Sequence, residues 1–397
     1  MTNEYRPLFN RKYLIGLVWF SLIAIMILSS MGPGAVKYHE IESNEARTLS
    51  WMELDDQPIT LVLLLPTRPA FNSTQRQLQQ LQSQILQQRL NALANPTYSY
   101  HVLPRQDRIE VTLRWSSTQE LPNLKSIWTA LSQPVESARW QDQLKTIQAR
   151  QYLDGQNSEQ QIINHFYERL QPSNRMTVLG NLSRSFNIMF QNPRFALSGE
   201  GAEDLVSAIE ESLPQQQSDQ NSALITASPQ FIQQGESTDQ RFRLLVGTLI
   251  PARDSKDFVQ ERLSAQVLQD LLSQQQTQYN LNFRMLWAAL SDTGYRALII
   301  DGVQNPGPVL PQLSQMITED LVGKSQQNLA SQWHDNMRDI ANQVQALNLI
   351  AFYRLPEDTL ETYAEQVLDQ DTDQVIELAR KALQADKQIS ILQSPSL

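Results

Sequence analysis

The feature that most constrains the fold is a strand, helix and hairpin order that occurs twice between residues 51 and 397. In the first copy, the apolar run from Ile59 to Leu65 predicts a buried strand, and Pro66 ends it. A helix from Thr74 to Ala94 follows, with leucine and isoleucine along one face and glutamine over most of the other. Two alternating segments around a turn at residues 104–107 then predict a hairpin. This mixed order indicates an α+β fold rather than a parallel α/β sheet.

The remaining elements complete both copies. In the first copy, helices are predicted at Leu124 to Leu131, Gln141 to Leu153 and Ala202 to Leu213, with a strand at Arg194 to Ser198. In the second, strands are predicted at Ala223 to Ala227, Phe242 to Ile250, Met285 to Leu290, Tyr295 to Val303 and Gln388 to Leu392. Its helices are predicted at Lys256 to Ser273, Leu310 to Leu321, Ser325 to Phe352, Asp358 to Leu368 and Thr372 to Gln384, the last with Thr372 as N-cap.

The chain length allows two domains of ordinary size. Residues 215–222 read QQQSDQNS, contain no apolar side chain, and predict a linker between the copies. We therefore expect a first domain at residues 51–214 and a second at residues 223–397, each with a mainly antiparallel sheet. Residues 32–50 are interpreted as a polar tether before the first domain.

The segment from Tyr13 to Met31 has no charged residue. As a helix it would span about 28 Å, close to the hydrocarbon thickness of a bilayer. Basic residues precede it, whereas the residues that follow mix both signs, so residues 1–12 are predicted to stay in the cytoplasm and the rest to be exported. A cleaved signal peptide is the alternative, although such peptides have a shorter apolar core and a clearer cleavage site.

Composition narrows the functional classes. The chain has no cysteine, which excludes disulfides, a thiol nucleophile and cysteine-bound metal. Its net charge of -10 argues against nucleic acid and anionic lipid as partners, and favours a neutral or basic ligand. An anchored, exported, acidic body without disulfides predicts a single-pass protein of a bacterial inner membrane, with its body in the periplasm.

Three segments carry a family resemblance. They are Phe195 to Leu205 (FALSGEGAEDL), Arg241 to Ile250 (RFRLLVGTLI) followed by the helix from Lys256, and Leu347 to Asp371 with the last strand at Ile389 to Leu392. Each resembles, in the expected order, an element of the pitrilysin/insulinase family of zinc peptidases. The resemblance extends over most of residues 51–397. It implies two tandem pitrilysin-like domains, each an antiparallel sheet packed with helices.

The zinc-binding H-x-x-E-H motif of that family is absent from the chain. Active members carry it on a helix early in the first half, and the matching helix here, Thr74 to Ala94, has no His, Asp or Glu. The four histidines, at positions 39, 101, 165 and 334, are far apart in sequence. His165 and Glu168 resemble part of a zinc motif, but Arg169 stands where a second histidine would be needed, so we interpret them as surface charges of a helix. No catalytic residue, metal site or cofactor is predicted.

The predicted function is that of a pseudopeptidase. The resemblance implies a non-catalytic subunit that binds an active zinc peptidase or a peptide. Arg284 and Tyr295 lie near where the family holds its substrate, and Gln80 and Gln87 mark a polar helix face that suits another polar surface, so these four are the candidate binding residues. The alternative function is a structural adaptor of an inner-membrane secretion or efflux assembly.

Overall fold

The computed structural model describes residues 36–93, 98–171, 177–212, 214, 228–237 and 241–395. The predicted anchor at 13–31, the predicted linker at 215–222 and the predicted strand at Ala223 to Ala227 lie outside these residues. None of the helices in the described ranges combines the length and the apolar character needed to cross a membrane.

The described residues form two separate β-sheets. The six-stranded first sheet has the order β1-β2-β6-β3-β5-β4. Its strands are β1 (Glu42–Ser43), β2 (Leu49–Glu53), β3 (Ile59–Pro66), β4 (Ser99–Pro104), β5 (Arg108–Trp115) and β6 (Arg194–Gly199). The five-stranded second sheet has the order β7-β11-β8-β10-β9. Its strands are β7 (Gln230–Ser237), β8 (Phe242–Ile250), β9 (Asn282–Ala289), β10 (Gly294–Gly302) and β11 (Ile389–Pro395).

Helices fill the intervals between strands. In the first half they are α1 (Ser73–Ala92), α2 (Leu124–Ser132), α3 (Gln141–Asp154), α4 (Ser158–Leu170), α5 (Val178–Met189) and α6 (Ala202–Ser212). In the second half they are α7 (Phe258–Tyr279), α8 (Leu310–Gln315), α9 (Glu319–Met337), α10 (Ile340–Tyr353), α11 (Thr359–Leu368) and α12 (Thr372–Ala382). The α+β class predicted from the sequence is confirmed.

The two sheets share one topology. Apart from the short edge strand β1, the first strand of each half runs parallel to the strand that closes it: β2 beside β6, and β7 beside β11. The closing strand then pairs antiparallel with the strand that precedes the long helix, β3 in one half and β8 in the other. That strand pairs with the second strand of the hairpin, which pairs with the first. The repeat inferred from the order of elements is therefore present in the pairing of the strands.

One face of each sheet is covered by helices of its own half. Leu61, Leu63 and Leu65 of β3 join a core with the buried leucines of α1. In the second half, Leu244 and Val246 of β8 join a corresponding core with α7. Neighbouring side chains of a strand point to opposite faces of the sheet. The residues of β3 and β8 that alternate with these leucines and with Val246 therefore face the opposite side, where other elements must bury them.

The opposite face of each sheet is buried by a helix from the other half. Helix α4, from the first half, packs against β8 and β11 of the second sheet, where Phe166 and Ile162 meet Leu245. Helix α10, from the second half, packs against β2, β3 and β6 of the first sheet. Each half thus contributes one helix to the other. Burial on both faces explains why most positions of β3 are apolar and why Leu244, Leu245 and Val246 of β8 follow one another.

Several predicted helix limits were wrong. The helix predicted from Ser325 to Phe352 is two helices, because Asp339 accepts a hydrogen bond from Ala341 N at 2.9 Å and starts α10 as its N-cap. The helix predicted from Leu310 to Leu321 also divides, since Thr318 caps α9. Asp371, not Thr372, caps α12. Helix α5 was not predicted.

The first sheet begins earlier than the predicted domain. Ile41 and Leu49 are buried, and β1 and β2 lie within or overlap residues 32–50, which we interpreted as a tether. His39 also bonds to Gln343 of α10 through its backbone N–H at 3.0 Å. The segment just before residue 51 is therefore part of the folded body.

Candidate functional site

A long open cleft lies beside the start of helix α1, with a volume of about 1110 Å³. Its walls come from the first turns of α1, the β4–β5 turn, the end of α3 and the start of α4, and Arg284 of β9 adds one side chain from the second sheet. A cleft of this size, formed by several elements of the first half and one side chain of the second, can hold an extended segment of peptide.

Helix α1 is fixed at its N-terminus by Asn72. The buried side chain of Asn72 accepts a hydrogen bond from Gln75 N at 2.9 Å, which satisfies a free N–H of the first turn. Its amide nitrogen also donates to the carbonyl of Gln171, at the end of α4, at 3.1 Å. One residue therefore positions two walls of the cleft against each other.

The face of α1 that lines the cleft carries Ser73, Arg76, Gln77 and Gln80, with Gln79 beside them. These positions follow the i, i+3, i+4, i+7 spacing of one helix face, and the H-x-x-E-H motif places its three side chains by the same spacing. A hydroxyl, a guanidinium and amides stand there instead. Zinc in proteins is bound by imidazole, thiolate and carboxylate, so these residues do not fit a zinc ion.

Amide side chains connect the walls. Gln77 of α1 donates to Gln151 of α3 at 2.9 Å, and Gln148 donates to Gln77 at 3.4 Å. On α4, Gln160 donates to Asn164 at 3.0 Å. A surface of this kind offers both donors and acceptors without a buried charge, which is the chemistry needed to bond a peptide backbone.

Three arginines also line the cleft, and two of them have carboxylate partners. Arg105 is 2.9 Å from Glu110, and Arg284 pairs with Glu159. Arg76 donates to the carbonyl of Phe71 at 2.6 Å and to the side-chain oxygen of Asn164 at 2.8 Å, both of which are neutral. Burial lowers the pKa of Arg76, but a guanidinium keeps its proton at any ordinary pH.

Below this surface, three polar groups connect the halves. Tyr167 of α4 donates its hydroxyl to that of Tyr295 at 2.9 Å, and Gln106 donates to the same Tyr295 oxygen at 2.5 Å. Burial, and next the neighbouring Tyr295, raise the pKa of Tyr167, so the Tyr167 hydroxyl remains a neutral hydrogen-bonding group. Phe71 packs edge-on against Tyr295, with ring centroids 5.5 Å apart.

The four predicted binding residues lie in three different places. Gln80 and Arg284 line the cleft. Tyr295 is buried beneath it and reaches its wall through hydrogen bonds to Tyr167 and Gln106. Gln87 lies two turns farther along α1, where it bonds to Asn91 at 2.9 Å and is not part of the cleft wall. The part that these four residues have in binding stays a prediction.

Sequence reasoning missed Arg76, Tyr167 and Tyr152. Arg76 could have been found, because it and Arg89 are the charged residues of a helix made largely of glutamine and leucine. Tyr152 and its neighbour Leu153 are 71% and 68% exposed at the edge of the cleft, unusual values for large apolar side chains. No sequence pattern indicates a role for Tyr167, because only the packing of α4 brings it to this surface.

Metal ligands are not brought together in the described ranges. No group of three or more His, Cys, Asp or Glu side chains there could hold a metal ion. His165 and Glu168, the pair that most resembled a zinc motif, are exposed side chains of α4. The carboxylates among the residues that line the cleft are Asp154 and Glu159.

Comparison with solved structures identifies the fold. A peptidase M16 inactive domain from Pseudomonas fluorescens matches 91% of this chain and 98% of its own, with 15% identity and a TM-score of 0.63. An M16-like peptidase from Alicyclobacillus acidocaldarius matches 90% of this chain and 98% of its own, at 10% identity and TM-score 0.64. Pitrilysin matches 91% of this chain over 44% of its own, at 12% identity and TM-score 0.58.

The chain therefore has the fold of the pitrilysin, or M16, peptidases, as its sequence predicted. At these identities the likeness concerns the fold alone. No family model and no curated protein matches the sequence.

Proposed function

We propose that this chain is a non-catalytic M16-like protein that binds an extended peptide segment in the cleft beside α1. The segment is a free peptide or part of a partner, for which an active zinc peptidase is the first candidate. The predicted anchor would hold the protein at the periplasmic face of a bacterial inner membrane. The observation that carries the proposal is the chemistry of the cleft wall, where amides line the face of α1, the helix that the family resemblance matches to the zinc-binding helix of active members.

Two further points support it. The chain keeps nearly the whole length of the Pseudomonas fluorescens domain, which is described as inactive, so the body has been retained without the ligands. The cleft also lies beside the second half, which contributes Arg284 to its lining, and ligand sites occur preferentially at the edges of domains that meet.

The test uses the full chain, purified in mild detergent and immobilised. A pool of unstructured peptides is passed over it, and mass spectrometry measures which peptides are retained and whether any is cleaved. We expect retention of intact peptides. Q80W, which would fill the cleft, should abolish retention, whereas Q87W, the same change on the same helix outside the cleft, should not.

Three results would count against this function. Cleavage of the peptides that stops when a chelator is added would mean that the protein is an active metallopeptidase. Retention no better than on bare resin would remove peptide binding and leave the adaptor function. Equal loss in Q80W and Q87W would show that binding does not take place in this cleft.

A further inference from the structure

Arg76 is a cation in the cleft that forms no ion pair with a described residue, although the exposed carboxylate of Glu168 acts on it through space. It lines the cleft one turn into α1 and forms no ion pair in the described part of the chain. Its guanidinium lies 5.7 Å from the ring centre of Tyr167, which covers one side and reduces its contact with water. The other two arginines of the cleft are already neutralised by Glu159 and Glu110.

The local field adds to this positive charge. The first turn of α1 contains no acidic residue, so the partial positive charge of the helix N-terminus is not compensated there. Partial burial makes water a poorer partner for the guanidinium than it would be at an open surface. A ligand anion at this point would therefore replace weak solvation by a strong, charge-assisted hydrogen bond.

The donors of Arg76 decide which anion fits. A guanidinium has five N–H groups, and two of them are used by Phe71 and Asn164. The N–H groups that remain can donate hydrogen bonds to both oxygens of one carboxylate. A phosphate carries more charge and would need a second free cation, whereas Arg105 and Arg284 are both paired.

We propose that Arg76 binds a carboxylate of the peptide held in the cleft. This inference rests on the proposed function and gives the ligand a chemical class. The amides of Gln77 and Gln80 lie on the same helix face and can bond the adjoining backbone, while exposed Tyr152 and Leu153 offer contact to an apolar side chain. The ligand is then acidic at one end, although the net charge of the whole chain favours a neutral or basic one.

The experiment compares three matched peptide pools on the immobilised full chain. One pool has free C-terminal carboxylates and no acidic side chain, the second is the same pool amidated at the C-terminus, and the third is amidated but contains glutamate. We expect the free-acid or the glutamate pool to be retained about tenfold more strongly than the amidated pool without acid. Whichever of the two is retained identifies the source of the carboxylate.

Three variants assign the effect to Arg76. R76Q should remove the preference for acid and R76K should keep part of it. Q80E places a carboxylate one helical turn from Arg76 without touching the bonds of Arg76 to Phe71 and Asn164, so it should compete with the ligand and reduce acid retention about tenfold. Q87E makes the same change outside the cleft and should behave as wild type.

The outcomes separate the two proposals. Retention of all three pools to an equal extent would overturn the carboxylate inference and leave peptide binding in place. An acid preference that survives in both R76Q and Q80E would also overturn it, because another residue would then be responsible. Retention of no pool would remove the proposed function and, with it, this inference.

Discussion

Tyr353, the last residue of α10, joins the two halves through hydrogen bonds. Its hydroxyl donates to Asp107 at 2.9 Å and accepts from Arg108 at 3.2 Å. Asp107 also accepts from Ser291, through the backbone N–H at 3.1 Å and through the hydroxyl at 3.2 Å. Tyr353, Asp107 and Arg108 are buried, so these hydrogen bonds satisfy polar groups that water does not reach. The turn between β4 and β5 is thereby fixed to the second half next to the cleft.

Tyr353 should make the free energy of unfolding depend on pH in the alkaline range. Burial, and next the carboxylate of Asp107, raise the pKa of Tyr353 above its ordinary value of 10.0. Below that value both the folded and the unfolded chain hold the proton and the stabilisation is complete. Above it the unfolded chain releases the proton first, so the free energy of unfolding should fall by about 1.4 kcal/mol per pH unit for this one group.

Urea unfolding from about pH 9 to pH 11 measures this effect. Y353F should be less stable than wild type below pH 10 by about 1–2 kcal/mol, because it lacks the bond to Asp107. Its pH slope should be shallower by the contribution of one tyrosine. Y152F, at an exposed position, is the control and should follow wild type. Identical slopes for wild type and Y353F would contradict the assignment.

At the scale of elements, the close approach of α4 to β8 depends on one glycine. A Cβ at Gly247 would lie 2.6 and 2.7 Å from two ring carbons of Phe166 and 2.8 Å from the Cβ of Ala297. Phe166 is fully buried among residues of the second sheet, and the glycine gives its ring room to lie on the strand. The helix that the first half contributes to the second can pack at this distance only because position 247 has no side chain.

We therefore expect G247A to lower the free energy of unfolding by about 1–3 kcal/mol, the usual effect of overpacking a core. The matched control is G323A in α9, where a Cβ would have no atom within 4 Å. That variant should be more stable by about 0.5–1 kcal/mol, because alanine favours a helix over glycine.

The double variant G247A/F166L tests the contact itself. Leucine has no ring carbons where the new Cβ would clash, so the loss caused by G247A should be smaller in this background than in wild type. Thermal or urea unfolding of the four proteins gives the coupling. If the losses of stability in the two single variants add up to the loss in the double variant, Phe166 does not limit the size of residue 247.

At the scale of the whole molecule, the exchange of helices makes the two sheets interdependent. The described residues from Tyr38 onward form one compact unit, although they contain two sheets with separate cores on their outer sides. Unfolding either half alone would expose the face of the other sheet that its helix covers. The large apolar area involved should make that partial unfolding unfavourable.

Both halves are therefore expected to unfold in one cooperative transition. Hydrogen exchange of the full chain in increasing urea should show the same midpoint for amides of β3 and β8, which are in different sheets. F166A leaves a cavity under β8 and should lower stability by about 3–5 kcal/mol, and it should shift both midpoints together. If amides of the second sheet exchanged at a lower urea concentration than those of the first sheet, this interdependence would be disproved.

Much of the fold could be predicted because local patterns decide it. The alternating segments of β4 and β5, the apolar run of β3 and the leucine stripe of α1 each carry a signal within a few residues. Helix limits were less predictable, because a cap such as Asp339 competes with a helical pattern that continues on both sides. The candidate site was predicted only in part, with Gln80 and Arg284 in the cleft and Gln87 outside it.

The sequence by itself determined the α+β class, the duplicated order of elements and the absence of zinc-ligating side chains from α1, since these depend on residue type and spacing. Only the tertiary structure decided which helix covers which sheet, and that Arg76 faces the cleft beside Tyr167 of α4. An apolar helix face specifies that it must be buried but not against what. The partner of such a face is selected by long-range packing. Arg76 and Tyr167, which are 91 positions apart, therefore become neighbours although no local sequence pattern indicates it.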